Sequence, residues 1–137
     1  MNQRVNELVT LLQDLKEMHP PTHHQVFGTS APNAIIDTSE LIVTGHSFGG
    51  ITALMTAHKL GSACKAVCVM DPWFYAYHEE FNSGEIAVPE CPVQIISSEM
   101  FHPSIREYDS WETLRTFLKN SHKDRESIKV LRNGHLN

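Results

Sequence analysis

Leu41-Ile42-Val43-Thr44-Gly45-His46-Ser47-Phe48-Gly49-Gly50 joins two hydrophobic patterns of different period. Residues 41–44 are apolar or β-branched, which reads as a short buried strand. From Ile51 to Leu60 the apolar residues Ala53, Leu54, Ala57 and Leu60 share one helical face, and Gly61 ends the run. Between the two, residues 45–49 spell G-x-S-x-G. The bare pattern recurs by chance. A strand directly before it and a helix directly after it are the context of a nucleophile elbow, a sharp turn that lifts the serine hydroxyl above a sheet. Ser47 is therefore the candidate nucleophile. The glycines are expected where a Cβ would clash between strand and helix. At a helix N-terminus, backbone N–H groups would favour negative charge developing near Ser47.

Outward from this stretch the alternation continues. Residues 66–70 read as a second buried strand, ending in Asp71-Pro72. Residues 92–96 read as a third strand, 111–118 as a helix with Leu114, Phe117 and Leu118 apolar, and 127–131 as a fourth strand. Strands alternating with helices predict an α/β fold with a mostly parallel sheet. Before residue 41, the spacing of Val5, Leu8, Val9, Leu12, Leu15 and Met18 predicts an amphipathic helix that Pro20-Pro21 stops. Residues 19–40 form a loop longer than most connections, carrying its own apolar piece, Ala34-Ile35-Ile36. The expected organisation is one partial domain over residues 1–137: a helix to residue 18, a loop over 19–40, and strand-helix units over 41–137 that carry the chemistry.

Composition narrows the function classes. A length of 137 residues predicts about one domain, and an apolar fraction of 41% is enough for an ordinary core. Eleven Lys and Arg against 16 Asp and Glu leave a net charge of −5, which offers no footprint for nucleic acid. No apolar run approaches the ~18 residues of a membrane span. The opening Met1-Asn2-Gln3-Arg4 has no signal-peptide character, and Asn2 excludes the N-myristoyl motif. A cytoplasmic location is the resulting expectation. Three cysteines cannot all pair, and Cys64 and Cys68 are not a C-x-x-C, so buried reduced thiols are expected. His23-His24 lacks a third ligand in register, so no metal is expected.

A serine nucleophile needs a base, and the base needs an orienting group. In this type of site the chain order is Ser, Asp, His. Asp71 follows the second strand at the carboxyl end of the sheet, where such folds place their sites; its ordinary alternative is an Asx turn opened by Asp-Pro. His135 lies four residues past the expected end of the fourth strand at Leu131; its ordinary alternative is a surface histidine. His46 adjoins the nucleophile but points to the opposite face. His58 falls near the end of a helix, and His78, His102 and His122 fall in loops. Of these, His102 follows the third strand and is a candidate for the pocket lining.

Four strings carry a family resemblance: Gly45-His46-Ser47-Phe48-Gly49-Gly50, Met70-Asp71-Pro72-Trp73, Ser98-Glu99-Met100-Phe101 and Gly134-His135-Leu136-Asn137. Together they resemble the platelet-activating factor acetylhydrolases of the plasma and type II kind, from about residue 4 to the last residue. The resemblance implies an α/β-hydrolase without metal or other cofactor that releases short or oxidised sn-2 acyl chains from phospholipids. It implies Ser47 as nucleophile, Asp71 as orienter and His135 as base, with the Phe48 N–H in the oxyanion hole and Trp73 beside the pocket. Phe74, Tyr75 and Tyr77 are expected beside Trp73 on the acyl or interfacial side, the alternative being that they cover the core. The turn is Asp-Pro-Trp where the family has Asp-Ala-Trp.

A larger departure is that the family has several strands before the nucleophile strand, and a closing helix, that this chain lacks. The expectation is thus a truncated α/β-hydrolase fold of about four strands, with residues 41–44 at an open edge and one oxyanion donor where two are usual. Poor solubility and little activity alone follow from it. The expected partners are a phospholipid or small ester substrate, a membrane or lipoprotein surface, and either a chain supplying the missing strands or a second copy. The rival readings are another α/β-hydrolase esterase, of polyester or dienelactone type, and an inactive fragment serving as an interaction module.

Overall fold

The computed structural model describes residues 2–17, 39–83, 88–98, 110–120 and 128–133. Its elements are α1 (Asn2–Glu17), β1 (Leu41–His46), α2 (Phe48–Leu60), β2 (Cys64–Met70), α3 (His78–Asn82), β3 (Val93–Ser98), α4 (Ser110–Asn120) and β4 (Ile128–Asn133), with 3₁₀ turns at Gly61–Ala63 and Phe74–Tyr77. The strands form one sheet in the order β1-β2-β3-β4, every pair parallel. The fold is α/β, and among the described residues the nucleophile strand β1 lies at the sheet edge. Most of the 19–40 loop and His23, His24, His102, His122 and His135 lie outside the described residues.

Residues paired across parallel strands share a face of the sheet, and alternate residues point to opposite faces. On one face Val43, Val67, Val69, Val93 and Ile95 are buried. They join Ile51, Ala53 and Leu54 of α2, Leu114 and Phe117 of α4, and Phe74 in a single core. Helix α1 adds Val5 to that core and sets Leu8 and Val9 against it. Its outer side is tied to α2 where the Lys59 ammonium donates to Asn6 Oδ1 at 2.6 Å. Thr56 is buried within α2 without leaving a polar group stranded, because its hydroxyl donates to the Thr52 carbonyl at 2.8 Å.

The other face is open over β1 and the end of β2. Thr44 and His46 are exposed, Ile42 is 64% exposed and Met70 45%. Parallel sheets are ordinarily covered on both faces, and an apolar edge strand invites pairing with another chain. Ile42→Lys is expected to reduce concentration-dependent association in sedimentation velocity while leaving the thermal melt within about 0.5 kcal/mol of the parent. Unchanged sedimentation would show that the β1 edge takes no part in association.

Strand β4 runs two residues beyond the expected end at Leu131. Pairing with β3 continues through Ser97↔Arg132 and Ser98↔Asn133. Arg132 and Asn133 read as loop because they are polar, but the ladder is held by backbone groups and their side chains did not decide it. In sequence, His135 therefore stands two residues past the strand and not four.

Candidate active site

Ser47 directly follows β1 and caps α2 with φ 54° and ψ −121°. A residue with a Cβ avoids this conformation, at a cost of about 1–3 kcal/mol, and keeps it only where the surroundings over-determine it. They do so here through three backbone bonds. The Ser47 N–H donates to the Met70 carbonyl at 2.9 Å, and the Ser47 carbonyl accepts from the N–H groups of Gly50 and Trp73, each at 3.0 Å. A serine at a helix N-cap ordinarily spends its hydroxyl on a backbone N–H of the first turn. Ser47 makes no such bond, so its hydroxyl is not consumed by capping. The Phe48 N–H, at the first position of the helix, has no intrahelical acceptor, and a helix N-terminus favours negative charge.

The motif glycines differ in why they are glycine. A Cβ at Gly45 would stand 2.5 Å from the Gly49 carbonyl carbon and 2.8 Å from the Gly50 nitrogen, so β1 and α2 meet there only without a side chain. A Cβ at Gly50 would lie 3.1 Å from the Pro72 Cα. At Gly49 no heavy atom among the described residues comes within 4 Å. The expectation of a strand-helix clash thus applies to Gly45, is replaced at Gly50 by contact with the Asp71 turn, and fails at Gly49.

Asp71 follows β2 with φ 43°. Its N–H donates to the Ile96 carbonyl at 2.8 Å, and its Oδ1 accepts from the Ser98 N–H at 2.6 Å. The side chain is thereby aimed across the end of β3. An Asx turn would direct it to the N–H two residues on, but the Trp73 N–H is already given to Ser47. Two bonds in opposite directions, Ser47 N–H to Met70 and Trp73 N–H to Ser47, lock the acid turn to the serine turn. The half-buried carboxylate keeps Oδ2 without a partner among the described residues.

The aromatic run after Asp71 divides in two. In a 3₁₀ turn, residues three apart eclipse one another, so Phe74 and Tyr77 share one side and Tyr75 another. Phe74 is fully buried, its ring 5.5 Å from that of Phe117. Tyr77 is buried as well, and desolvation, with the Glu80 charge adding to it, raises its phenol above the usual value near 10. Phe74 and Tyr77 thus take the alternative for this run and belong to the core. Trp73 and Tyr75 stay on the outer side, in a row that links Phe48 to Trp73 at 6.3 Å, Trp73 to Tyr75 at 5.9 Å and Tyr75 to His78 at 5.4 Å. Arg4 of α1 places its guanidinium 5.4 Å from the Phe48 ring centre and closes the row at its other end. His78 is engaged locally, with Nδ1 2.9 Å from the Tyr75 carbonyl oxygen. His46 and His58 are exposed. The structure brings together Ser47, Phe48, Asp71 and Trp73; His102 and His135 are outside what it describes. Sequence reasoning missed the Ser98 N–H, because a backbone donor has no residue signature.

A search of curated proteins finds no match to the chain. Among solved structures, the enterobactin esterase FES from Shigella flexneri, crystallised with 2,3-di-hydroxy-N-benzoyl-serine, superposes with a TM-score of 0.59 at 16% identity, covering 97% of this chain and 35% of that one. The same esterase with 2,3-di-hydroxy-N-benzoyl-glycine gives 0.58 at 17% identity, covering 96% and 35%. The enterochelin esterase from Shigella flexneri gives 0.52 at 20% identity, covering 77% and 28%. The likeness at these identities is one of fold, the α/β-hydrolase type, and the chain spans about a third of the length of the two FES structures. The model of the family described as "Platelet-activating factor acetylhydrolase, isoform II" matches residues 1–133. With nearly the whole chain covered, and the Ser47 elbow tied to the Asp71 turn within it, the chain belongs to the platelet-activating factor acetylhydrolase isoform II family.

Proposed function

We propose that this chain carries the reacting groups of a serine esterase that hydrolyses the short or oxidised sn-2 acyl ester of phospholipids, presented from a membrane or lipoprotein surface. The observation that carries the reading is the strained Ser47 turn, held by backbone bonds and with its hydroxyl unused in capping. Ser47 Oγ attacks the ester carbonyl as His135 takes its proton, and the Phe48 N–H faces the oxygen that gains charge. The lysolipid leaves with the proton returned by His135. Water, deprotonated by the same imidazole, then releases the acyl group as its acid and restores Ser47. Asp71 holds the imidazole in the required tautomer.

Backbone topology supports the third member. Ser98 holds the Asp71 carboxylate and pairs with Asn133. His135 is two residues further on, and two residues span at most about 7 Å. The outer aromatic row supports a role in acyl selection. Trp73→Ala is expected to change the ratio of kcat/KM between acetyl and longer acyl esters by about tenfold, since a methylene contact is worth roughly 1–3 kcal/mol. A uniform loss across chain lengths would return Trp73 to a packing role.

The test of the reading is a fluorophosphonate probe followed by peptide mass analysis, together with acetate release from a 2-acetyl phospholipid and from p-nitrophenyl acetate. Labelling at Ser47 and preference for the phospholipid are expected. Labelling that survives Ser47→Ala would overturn the nucleophile, and preference for the soluble ester would favour the polyester or dienelactone type. A second reading, a non-catalytic module that offers the β1 edge to a partner strand, is favoured by the exposure of Ile42. Its signature is stoichiometric binding of a partner with no acyl-enzyme at Ser47.

A further inference from the structure

The register of β1 on β2 slips once. Leu41 pairs with Cys64, yet Ile42 pairs with Ala66, so β2 carries one extra residue at this point. An extra residue reverses the alternation of whatever precedes it and re-aims its side chain. Ala66, Cys68 and Met70 lie toward the open face, half-buried or exposed. Cys64 is turned instead to the covered side, where it is 2% exposed. Cys91, in the Pro89-Glu90-Cys91-Pro92 approach to β3, is 8% exposed on the same side. The strands run together here, with the Val67 N–H donating to the Pro92 carbonyl at 3.0 Å. The Cys91 and Cys64 sulfurs are 3.7 Å apart. The Cys64 thiol lies 3.3 Å from the Ala66 carbonyl oxygen.

We propose that Cys64 and Cys91 form an oxidation site that closes to an intrachain disulfide across the starts of β2 and β3. A disulfide bond is about 2.05 Å long, so the sulfurs approach by roughly 1.7 Å, within reach of side-chain rotation and a small backbone adjustment. The oxidant is a peroxide. One thiolate attacks a peroxide oxygen, giving a sulfenic acid and, with hydrogen peroxide, one water once the leaving hydroxide is protonated. The second sulfur displaces the sulfenic oxygen as a second water, and the S–S bond forms. Two thiols and one hydrogen peroxide become one disulfide and two waters, with two electrons passing from sulfur to oxygen.

Burial pushes the Cys91 thiol up to about 12, with the neighbouring Cys64 adding to the shift. Thiolate is therefore scarce at neutral pH and closure is slow; the same burial shields the finished bond from reductants. The two cysteines are 27 residues apart, and the span between them contains Asp71 and Trp73. The link itself sits at the opposite end of the strands from Ser47. It restrains the unfolded chain and leaves the proposed chemistry untouched.

The test is exposure of the whole chain to hydrogen peroxide, followed by alkylation with iodoacetamide under denaturing conditions and peptide mass analysis. The expected result is a Cys64–Cys91 linked peptide pair, one alkylated cysteine (Cys68) where the untreated chain has three, and a mass lower by two hydrogens that dithiothreitol restores. The melting temperature should rise by about 5 °C or more. Cys68→Ser should give the same linked pair and Cys91→Ser none. Three alkylated cysteines after treatment, a linked pair containing Cys68, or sulfinic acid at Cys64 and Cys91 without linkage would each overturn the proposal.

Discussion

His135→Ala is expected to lower the proposed esterase turnover by about four to six orders of magnitude, and Ser47→Ala by as much, with the double variant no worse than either alone. Members of a nucleophile–base set act as one unit, so the first removal already costs nearly everything the set contributes. Turnover is measured on p-nitrophenyl acetate and on a 2-acetyl phospholipid. An unchanged rate in His135→Ala would move the base to His102 or elsewhere; additive losses would show that the two do not act together. Ser47→Gly separates the chemistry from the strain. It removes the hydroxyl and also relieves the φ of 54°. It should therefore be as inactive as Ser47→Ala yet more stable than that variant by about 1 kcal/mol or more, visible in urea unfolding. Equal stability of the two would mean that the turn stores no strain.

Gly45→Ala is expected to destabilise the fold by about 3 kcal/mol or more, and Gly49→Ala to leave it unchanged or up to about 1 kcal/mol more stable. The two glycines are formally equivalent in the motif. At Gly45 a methyl group would press on the backbone of Gly49 and Gly50, which cannot swing aside without parting α2 from β1. Such a shift would also break the bonds from Ser47 to Met70 and Trp73, so activity should fall together with stability. At Gly49 the space is open among the described residues, and alanine is the better helix former. Thermal melts of the two variants decide the matter, and similar losses at both positions would sink the argument.

How far the fold could be read from residues varied with what holds each element. Val43, Val67, Val69 and Ile95 mark their strands because burial on one face selects β-branched side chains. Ile51, Ala53, Leu54 and Ala57 mark α2 by their helical spacing. The polar end of β4 was not legible, since Arg132 and Asn133 continue a ladder made of N–H and C=O groups that every residue possesses. Trp73, Phe74, Tyr75 and Tyr77 are alike in the sequence as aromatics. Only the 3₁₀ turn sends Phe74 and Tyr77 inward and leaves Trp73 and Tyr75 outside.

By itself, the sequence determined the fold class, the family, and which serine and aspartate sit at strand ends, because strand and helix periods and the elbow motif are local properties of side chains. The tertiary structure alone decided how those residues are held. The Ser47 dihedrals, the backbone bonds between the serine and acid turns, the Ser98 N–H on the Asp71 carboxylate and the meeting of Cys64 with Cys91 join residues far apart in the chain. Most of those contacts use backbone groups, and the cysteine pair depends on a one-residue slip in strand register. Neither leaves a mark on residue type, so each exists only once the sheet has set its register.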